Sequence, residues 1–149
     1  MISIRAVEES DLDAFYEHQA DPIGAAMVPM PSRDRAALVE HWHRNLARAD
    51  NIARTVVVDG AVAGHVVSWE ADGRRMLGYW IGRGFWGRGV ATTAVRALLD
   101  EIPHRPLFAY VAASNIGSIR VLEKNGFIRA TEEPEIGEDG VEEWLFRLA

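Results

Sequence analysis

Apolar residues at the start of the chain fall on Ile2, Ile4 and Ala6, alternating with polar ones, which is the period of a half-buried strand. Ser10 stands ahead of a short helix as its predicted N-cap, with Asp13 in an acidic first turn and Leu12, Phe15 and Tyr16 on the apolar face. Residues 21–31 hold three prolines and read as loop. Ser32 is the predicted cap of a second helix reaching about Asp50, with Leu38, Val39, Trp42 and Leu46 along one side. Two strand-like runs, 53–58 and 61–69, flank Asp59-Gly60, a pair that favours a two-residue hairpin. A second such turn, Asp72-Gly73, leads into a strand over 76–81.

After Gly89 the period becomes helical, with Val90, Ala94, Val95, Leu98, Leu99 and Ile102 on one stripe until Pro103 and Pro106 end it. A strand over 107–111, a short helix over 115–125 closed by Gly126-Phe127, and strands over 127–130 and 141–148 complete the chain. This order predicts one α/β (α+β) domain spanning residues 1–149. Its sheet is mixed and mostly antiparallel, with six to seven strands and helices on both faces.

Composition narrows the function classes. Apolar residues make up 48% and charged residues 26%, an ordinary globular balance. Cysteine is absent, which excludes disulfides, thiolate metal sites and a cysteinyl intermediate, and fits a reducing compartment. The first residues lack the pattern of a secretory signal and no run is long enough to cross a membrane, so a cytoplasmic protein is expected. A net charge of −6 argues against a general affinity for nucleic acid and mildly for cationic partners. The five histidines offer no metal spacing: His41 and His43 stand two apart on a helix and do not share a face.

The candidate chemistry lies between Gly78 and Leu99. A strand enters a loop carrying Gly82, Gly84, Gly87 and Gly89, and a helix follows at once. Glycine lets the backbone approach a bulky ligand, and the helix start presents unpaired N–H groups and a positive dipole end. Arg83 and Arg88 add charge beside it. Gly82-x-Gly84-x-x-Gly87 spells a dinucleotide fingerprint, but the next strand, 107–111, ends without the acidic residue that motif needs. No Gly-Lys-Ser/Thr follows, so the loop is not a P-loop either. A tight strand-to-helix turn without a ligand is the simpler alternative.

Trp86-Gly87-Arg88-Gly89-Val90-Ala91 matches the Gly-x-Ala half of the coenzyme A signature of the GNAT superfamily of N-acetyltransferases, with tryptophan in its first place. A second block, Asn115-x-x-Ser118-x-x-Val121-Leu122-Glu123-Lys124-x-Gly126-Phe127, resembles the C-terminal helix motif of the branch containing the ribosomal-protein N-terminal acetyltransferases. Tyr79-Trp80-Ile81-Gly82 points to the same branch. The resemblance covers the chain from about Ile52 onward and, more weakly, the two helices before it. It implies a GNAT-like fold and acetyl-coenzyme A as co-substrate, with no metal. It also implies a coenzyme site of Ile81, Gly82, Arg83, Trp86, Gly87, Arg88, Gly89, Val90, Ala91 and Thr92, with Asn115 and Ser118 near the thioester.

Catalytic groups are less clear. The glutamate base that many relatives carry would fall at Met76, and their tyrosine acid at Leu122. In the resembled branch a serine can serve the leaving sulfur, which makes Ser118 the candidate; capping its helix together with Asn115 is the alternative. Glu70 is the nearest carboxylate, but the Asp72-Gly73 turn pairs it with Arg75 and faces it away from Met76, so an exposed ion pair competes with a catalytic role. Water is the remaining candidate base. Trp42, Trp69, Trp80 and Trp86 either wall an acceptor pocket or belong to the core.

The expected partner is a cationic amine, either a small molecule or a protein N-terminus, and the expected assembly a monomer or homodimer. Glu132, Glu133, Glu135, Glu138, Asp139, Glu142 and Glu143 would concentrate such an amine at the site, unless they only solvate a hairpin loop. A coenzyme A-binding module without catalysis is the alternative function, favoured by the missing acid and base.

Overall fold

The computed structural model describes residues 1–27, 32–137 and 140–149. An eight-stranded sheet runs through it: β1 (Ile2–Ala6), β2 (Ile52–Val58), β3 (Ala61–Ala71), β4 (Arg74–Ile81), β5 (Leu107–Ala112), β6 (Ile128–Arg129), β7 (Glu135–Ile136) and β8 (Glu142–Leu148). The spatial order is β1-β2-β3-β4-β5-β8-β6, with β7 also on β8, and every pair is antiparallel except β4 with β5. The expected mixed, mostly antiparallel sheet is therefore present, with two-residue strands raising its number to eight.

Both predicted hairpins form. Asp59 and Gly60 take φ of 49° and 84°, and Asp72 and Gly73 take 51° and 76°, the doubly positive turn whose twist suits paired strands. The second hairpin sets Trp69 opposite Met76 and Glu70 opposite Arg75.

Helices cover both faces: α1 (Asp11–Ala20), α2 (Pro22–Ala25), α3 (Arg35–Leu46), α4 (Val90–Glu101) and α5 (Ile116–Lys124). On one face the apolar stripe of α4 is sealed, with Ala94, Val95 and Leu98 at 0% exposure in a core shared with β2 to β5. Burying a side chain such as Leu98 contributes about 2 kcal/mol, so α4 is anchored along its length. Leu122 of α5 and Phe127 join that core. Between them Gly126, at φ 90°, ends α5, with the Phe127 N–H reaching the Leu122 carbonyl at 3.1 Å and the Gly126 N–H reaching Glu123 at 3.0 Å. On the opposite face Leu12, Phe15, Leu38 and Trp42 of α1 and α3 form a second cluster against β2 and β3.

Three helix starts differ from expectation. Ser10 makes no capping bond; the Asp11 carboxylate instead accepts from the Glu8 N–H at 2.8 Å and the Thr55 hydroxyl at 2.7 Å, and pairs with Arg5 at 2.7 Å. Of these partners Arg5 lies on β1 and Thr55 on β2, and the contact with Thr55 is out of reach of a local sequence pattern. Asp34, not Ser32, caps α3 by accepting from the Ala37 N–H at 2.7 Å, and the helix stops at Leu46, which is exposed. Residues 22–25, expected as loop, form the single turn α2, since a proline in a helix's first turn has no N–H to leave unpaired. Val28, Pro29, Met30 and Pro31 lie outside the described residues.

Candidate active site

The one parallel pair among the described residues holds briefly. β4 and β5 are in register at Arg75 with Leu107 and Met76 with Phe108, and then diverge. In an antiparallel ladder alternate residues turn their polar backbone groups toward the same neighbour. The Gly82 N–H donates to Ala63 at 2.8 Å and the Met76 carbonyl accepts from the Ser68 hydroxyl at 2.7 Å, so even-numbered residues of β4 serve β3. Leu77, Tyr79 and Ile81 consequently turn their N–H and C=O groups toward the space that β5 vacates. The result is a slot of about 750 Å³ between residues 77–81 and 109–112, closed at its ends by the starts of α4 and α5. A bare strand edge of this kind takes an extended ligand that carries amides.

At the end of β4 the chain makes one tight turn over 83–85 and reaches Gly87 and Gly89, at φ 76° and 71°. A side chain at either would meet nothing within 4 Å, so these glycines serve the left-handed backbone and leave the adjoining space open. Gly89 caps α4 without a side chain, leaving the first N–H groups of the helix directed at the slot. Arg120 and Lys124, from the facing side of α5, also line it. Helix dipole, free N–H groups and two cations together make an anion site, suited to a pyrophosphate.

Of the residues predicted for the coenzyme, Ile81, Trp86, Gly87, Gly89, Val90, Ala91, Thr92, Asn115 and Ser118 are brought together around this slot. Trp86 donates its indole N–H to the Ile81 carbonyl at 2.7 Å. Gly82, Arg83 and Arg88 are placed differently. A Cβ on Gly82 would come within 2.6 Å of the His18 ring, which packs on this glycine from α1. Arg83 donates to the Asp21 carboxylate at 2.8 Å, and the Arg88 guanidinium lies 5.6 Å from the centre of the Phe85 ring.

Glu70 is exposed at the far end of β3, opposite Arg75. The expected Glu70–Arg75 ion pair does not form: Arg75 is buried and turns to the Ser68 hydroxyl at 2.9 Å and carbonyl at 3.3 Å. Met76, at the position of the usual glutamate, is buried as well.

Ser118 and Asn115 divide their roles. The Asn115 side chain caps α5 by accepting from the Ser118 N–H at 3.2 Å, and its own NH₂ donates to the Met27 carbonyl at 3.3 Å. The Ser118 hydroxyl is thereby spared from capping and meets the hydroxyl of Tyr79. Burial pushes the Tyr79 phenol up to about 12, against the opposing effect of the Ser118 hydrogen bond. The sequence reading missed Tyr79, although its position is legible: odd-numbered residues of this strand share the slot face with Ile81. Arg120 and Lys124 were missed because a helix turn, rather than a motif, aligns them.

The tryptophans separate by the same reasoning. Trp42 is core, 4.8 Å from the rings of both Phe15 and His65. Trp69 lies against Gly78, and Trp80 passes close to Gly24 of α2, on the face opposite α4. Tyr110, on the β5 wall, is exposed beside Glu135 of β7; burial and this carboxylate raise its phenol above the ordinary value. Glu135 and Glu143 face each other across β7 and β8, while Glu138 and Asp139 lie outside the described residues. Among the described residues no group of three or more histidines and carboxylates is placed to hold a metal, and no helix is long and apolar enough to cross a membrane.

The sequence pattern of the acetyltransferase (GNAT) domain matches residues 2–128, a stretch that includes the parting strands and the glycine-capped helix. This chain belongs to the GNAT family. Among curated relatives, a candidate ribosomal N-acetyltransferase of Bacillus subtilis, YdaF, is 28% identical over 101 residues. That stretch is 63% of this chain and 55% of YdaF, so the chain spans little more than half of this relative's length. The similarity agrees with the ribosomal-protein branch that residues 79–82 and 115–127 resemble. A GNAT acetyltransferase structure from Bacillus anthracis superimposes with a TM-score of 0.82 at 20% identity, over 99% of this chain and 93% of that one. Spermidine N-acetyltransferase from Vibrio cholerae, solved with coenzyme A and spermine, gives 0.84 at 16% identity over 99% and 94%. At these identities the two structures establish the shared GNAT fold.

Proposed function

We propose that this GNAT domain transfers an acetyl group from acetyl-coenzyme A to a primary amine. The observation that carries the reading is the parting of β4 from β5, which leaves a strand edge and a helix N-terminus facing one slot. The N–H and C=O of Tyr79, the Leu77 C=O and the Ile81 N–H would pair with the amide-bearing arm of the coenzyme. Gly87, Gly89, Val90, Ala91 and Thr92 would hold its pyrophosphate through backbone N–H groups, with Arg120 and Lys124 nearby. Arg83 and Arg88 would act one step removed, by fixing the loop. Trp86 would flank the strand edge it already bonds.

Acetyl-coenzyme A supplies an activated thioester. The amine lone pair forms the N–C bond, the C–S bond breaks with its electron pair on sulfur, and the ammonium proton leaves to solvent. A thiol has a pKa of about 8.5, so the sulfur needs a donor more than a strong acid, and Ser118 is the hydroxyl in place. No carboxylate stands where the usual base would, and Glu70 is too far along β3 to take its part. The chain then relies mainly on positioning.

The acceptor would enter from the face that carries Trp69, Trp80 and Met27, past Tyr110 and Glu135. Aromatic faces and carboxylates both favour a cation. The Vibrio relative's polyamine and the ribosomal assignment of YdaF bracket the choice between a small amine and a protein N-terminus. Without cysteine and without a membrane-spanning helix among the described residues, the cytoplasm is the compartment we infer.

Incubation with acetyl-coenzyme A and a panel holding spermidine and short peptides with free N-termini, read by mass, tests the reading. Gain of one acetyl group on a panel member is the expected result. Coenzyme binding with no transfer to any amine would instead identify a silent binding module.

A further inference from the structure

The side chain of Tyr79 has no assigned part in the reaction, yet its hydroxyl is placed on the one hydroxyl that has. It reaches the Ser118 Oγ, and the Ser118 carbonyl lies 3.2 Å away. Each hydroxyl has one proton, so two arrangements exist. If Tyr79 donates to the carbonyl, Ser118 must donate back to the phenol and presents no proton to the slot. If Tyr79 donates to Oγ, the serine proton is free to turn outward. In a phenol–alcohol pair the more acidic phenol is the donor. The N–H of Ser118 is bonded to the Asn115 side chain, so capping the helix does not draw on the serine hydroxyl.

We propose that Tyr79 is a positioning residue, which donates its proton to Ser118 Oγ and so aims the serine hydroxyl at the sulfur of the coenzyme. Donation into Oγ also polarises the serine O–H and makes it a better donor. Burial holds the phenol neutral far above neutral pH, so the arrangement persists over the whole working range. No proton need cross to sulfur: the serine supplies a hydrogen bond to the charge that the breaking C–S bond leaves there. The inference rests on the acetyl-transfer reading, and the experiment separates the two.

The test uses the full chain with coenzyme A itself. The thiol of bound coenzyme is titrated by its ultraviolet thiolate absorbance, with desulfo-coenzyme A as the blank, while calorimetry measures binding. A donor aimed at sulfur stabilises the thiolate, so in the native chain the bound thiol should titrate about one unit below its free value. Tyr79→Phe and Ser118→Ala should each return it toward that value, the two together no further than Ser118→Ala alone, with coenzyme affinity changed less than threefold. If Tyr79→Phe does not fold, Tyr79→Leu, which also lacks the hydroxyl, takes its place in the comparison. A bound thiol that titrates as free, or a Tyr79→Phe profile identical to the native one, overturns the role of Tyr79 and leaves acetyl transfer standing. Failure of the native chain to bind coenzyme A overturns both.

Discussion

Arg83 Nε donates to the Asp21 carboxylate at 2.8 Å, joining the glycine loop to the helices on the other face of the sheet. Asp21 also accepts from the Ile23 N–H at 3.4 Å, so one carboxylate steadies both the loop and the start of α2. At the other end of this short segment the Met27 carbonyl is held by Asn115. The stretch between these ties bridges the two sides of the slot.

If Arg83 serves the loop through Asp21, Arg83→Ala and Asp21→Ala should weaken coenzyme binding by similar, small factors of about two- to fivefold. Asp21→Ala should be the less stable of the two by about 0.5–1 kcal/mol, because it also loses the cap. Calorimetric titration and denaturant midpoints measure both. A large affinity loss for Arg83→Ala beside none for Asp21→Ala would return Arg83 to direct contact with the pyrophosphate.

Gly89 offers a cleaner probe of the coenzyme site, because it combines a left-handed backbone with open space. Asparagine tolerates that conformation and valine does not. Gly89→Asn should melt within a few degrees of the native chain yet bind coenzyme A at least tenfold more weakly. Gly89→Val should lose stability and affinity together. Native affinity in folded Gly89→Asn would place the pyrophosphate elsewhere.

A prediction about pH follows from the second core. Burial, and then the proximity of His18 and His41, lower His65 to about 3 from an ordinary 6.5, and burial lowers His18 and His41 as well. The folded chain thus binds fewer protons than the unfolded one below pH 6.5. This stabilisation is complete above 6.5 and is lost as pH falls toward 3, by about 1.4 kcal/mol per pH unit for the fully buried His65. Asp11 acts in a lower window. Burial pushes its carboxyl up, but Arg5, the Glu8 N–H and Thr55 hold it at about 2, so its contribution starts to fade only below about 4. His65→Leu should therefore flatten the stability profile between pH 6 and 4 and leave the steeper fall below it. Denaturant midpoints against pH supply the measurement, and an unchanged slope would contradict the account.

The acidic hairpin is tested by salt. Exposed carboxylates such as Glu135, beside Tyr110 of the slot wall, would attract a cationic acceptor over a distance that shrinks from about 10 Å at 0.1 M to about 3 Å at 1 M. For a cationic acceptor kcat/KM should fall as salt rises, and replacing Glu132, Glu133 and Glu135 by glutamine should flatten the curve. Identical profiles for the two proteins would remove the hairpin from acceptor capture.

Features that depend on neighbours in sequence were legible before the structure. The Asp-Gly hairpins, the α4 stripe and the Gly126 stop are set by local backbone preference and by period, and the glycine loop could be placed because its spacing to the next helix is short. The misread elements depend on side chains competing for the same partner, across the sheet or within a few residues. Asp11 displaced Ser10 because Arg5 and Thr55 stand over it, and Arg75 ignored Glu70 because Ser68 offered two acceptors at burial depth. Tyr79 lay between these cases: its strand parity was readable, but its meeting with Ser118 required the crossing of β4 and α5.

Among all 149 residues the one lysine is Lys124, and it stands on the slot wall. An amine-selective reagent consequently has a single side-chain target in the whole molecule, next to the space where the proposed coenzyme would lie. Modification at this position becomes a gauge of occupancy: ligand in the slot shields the amine, and the mass added to the chain falls in proportion to the fraction bound.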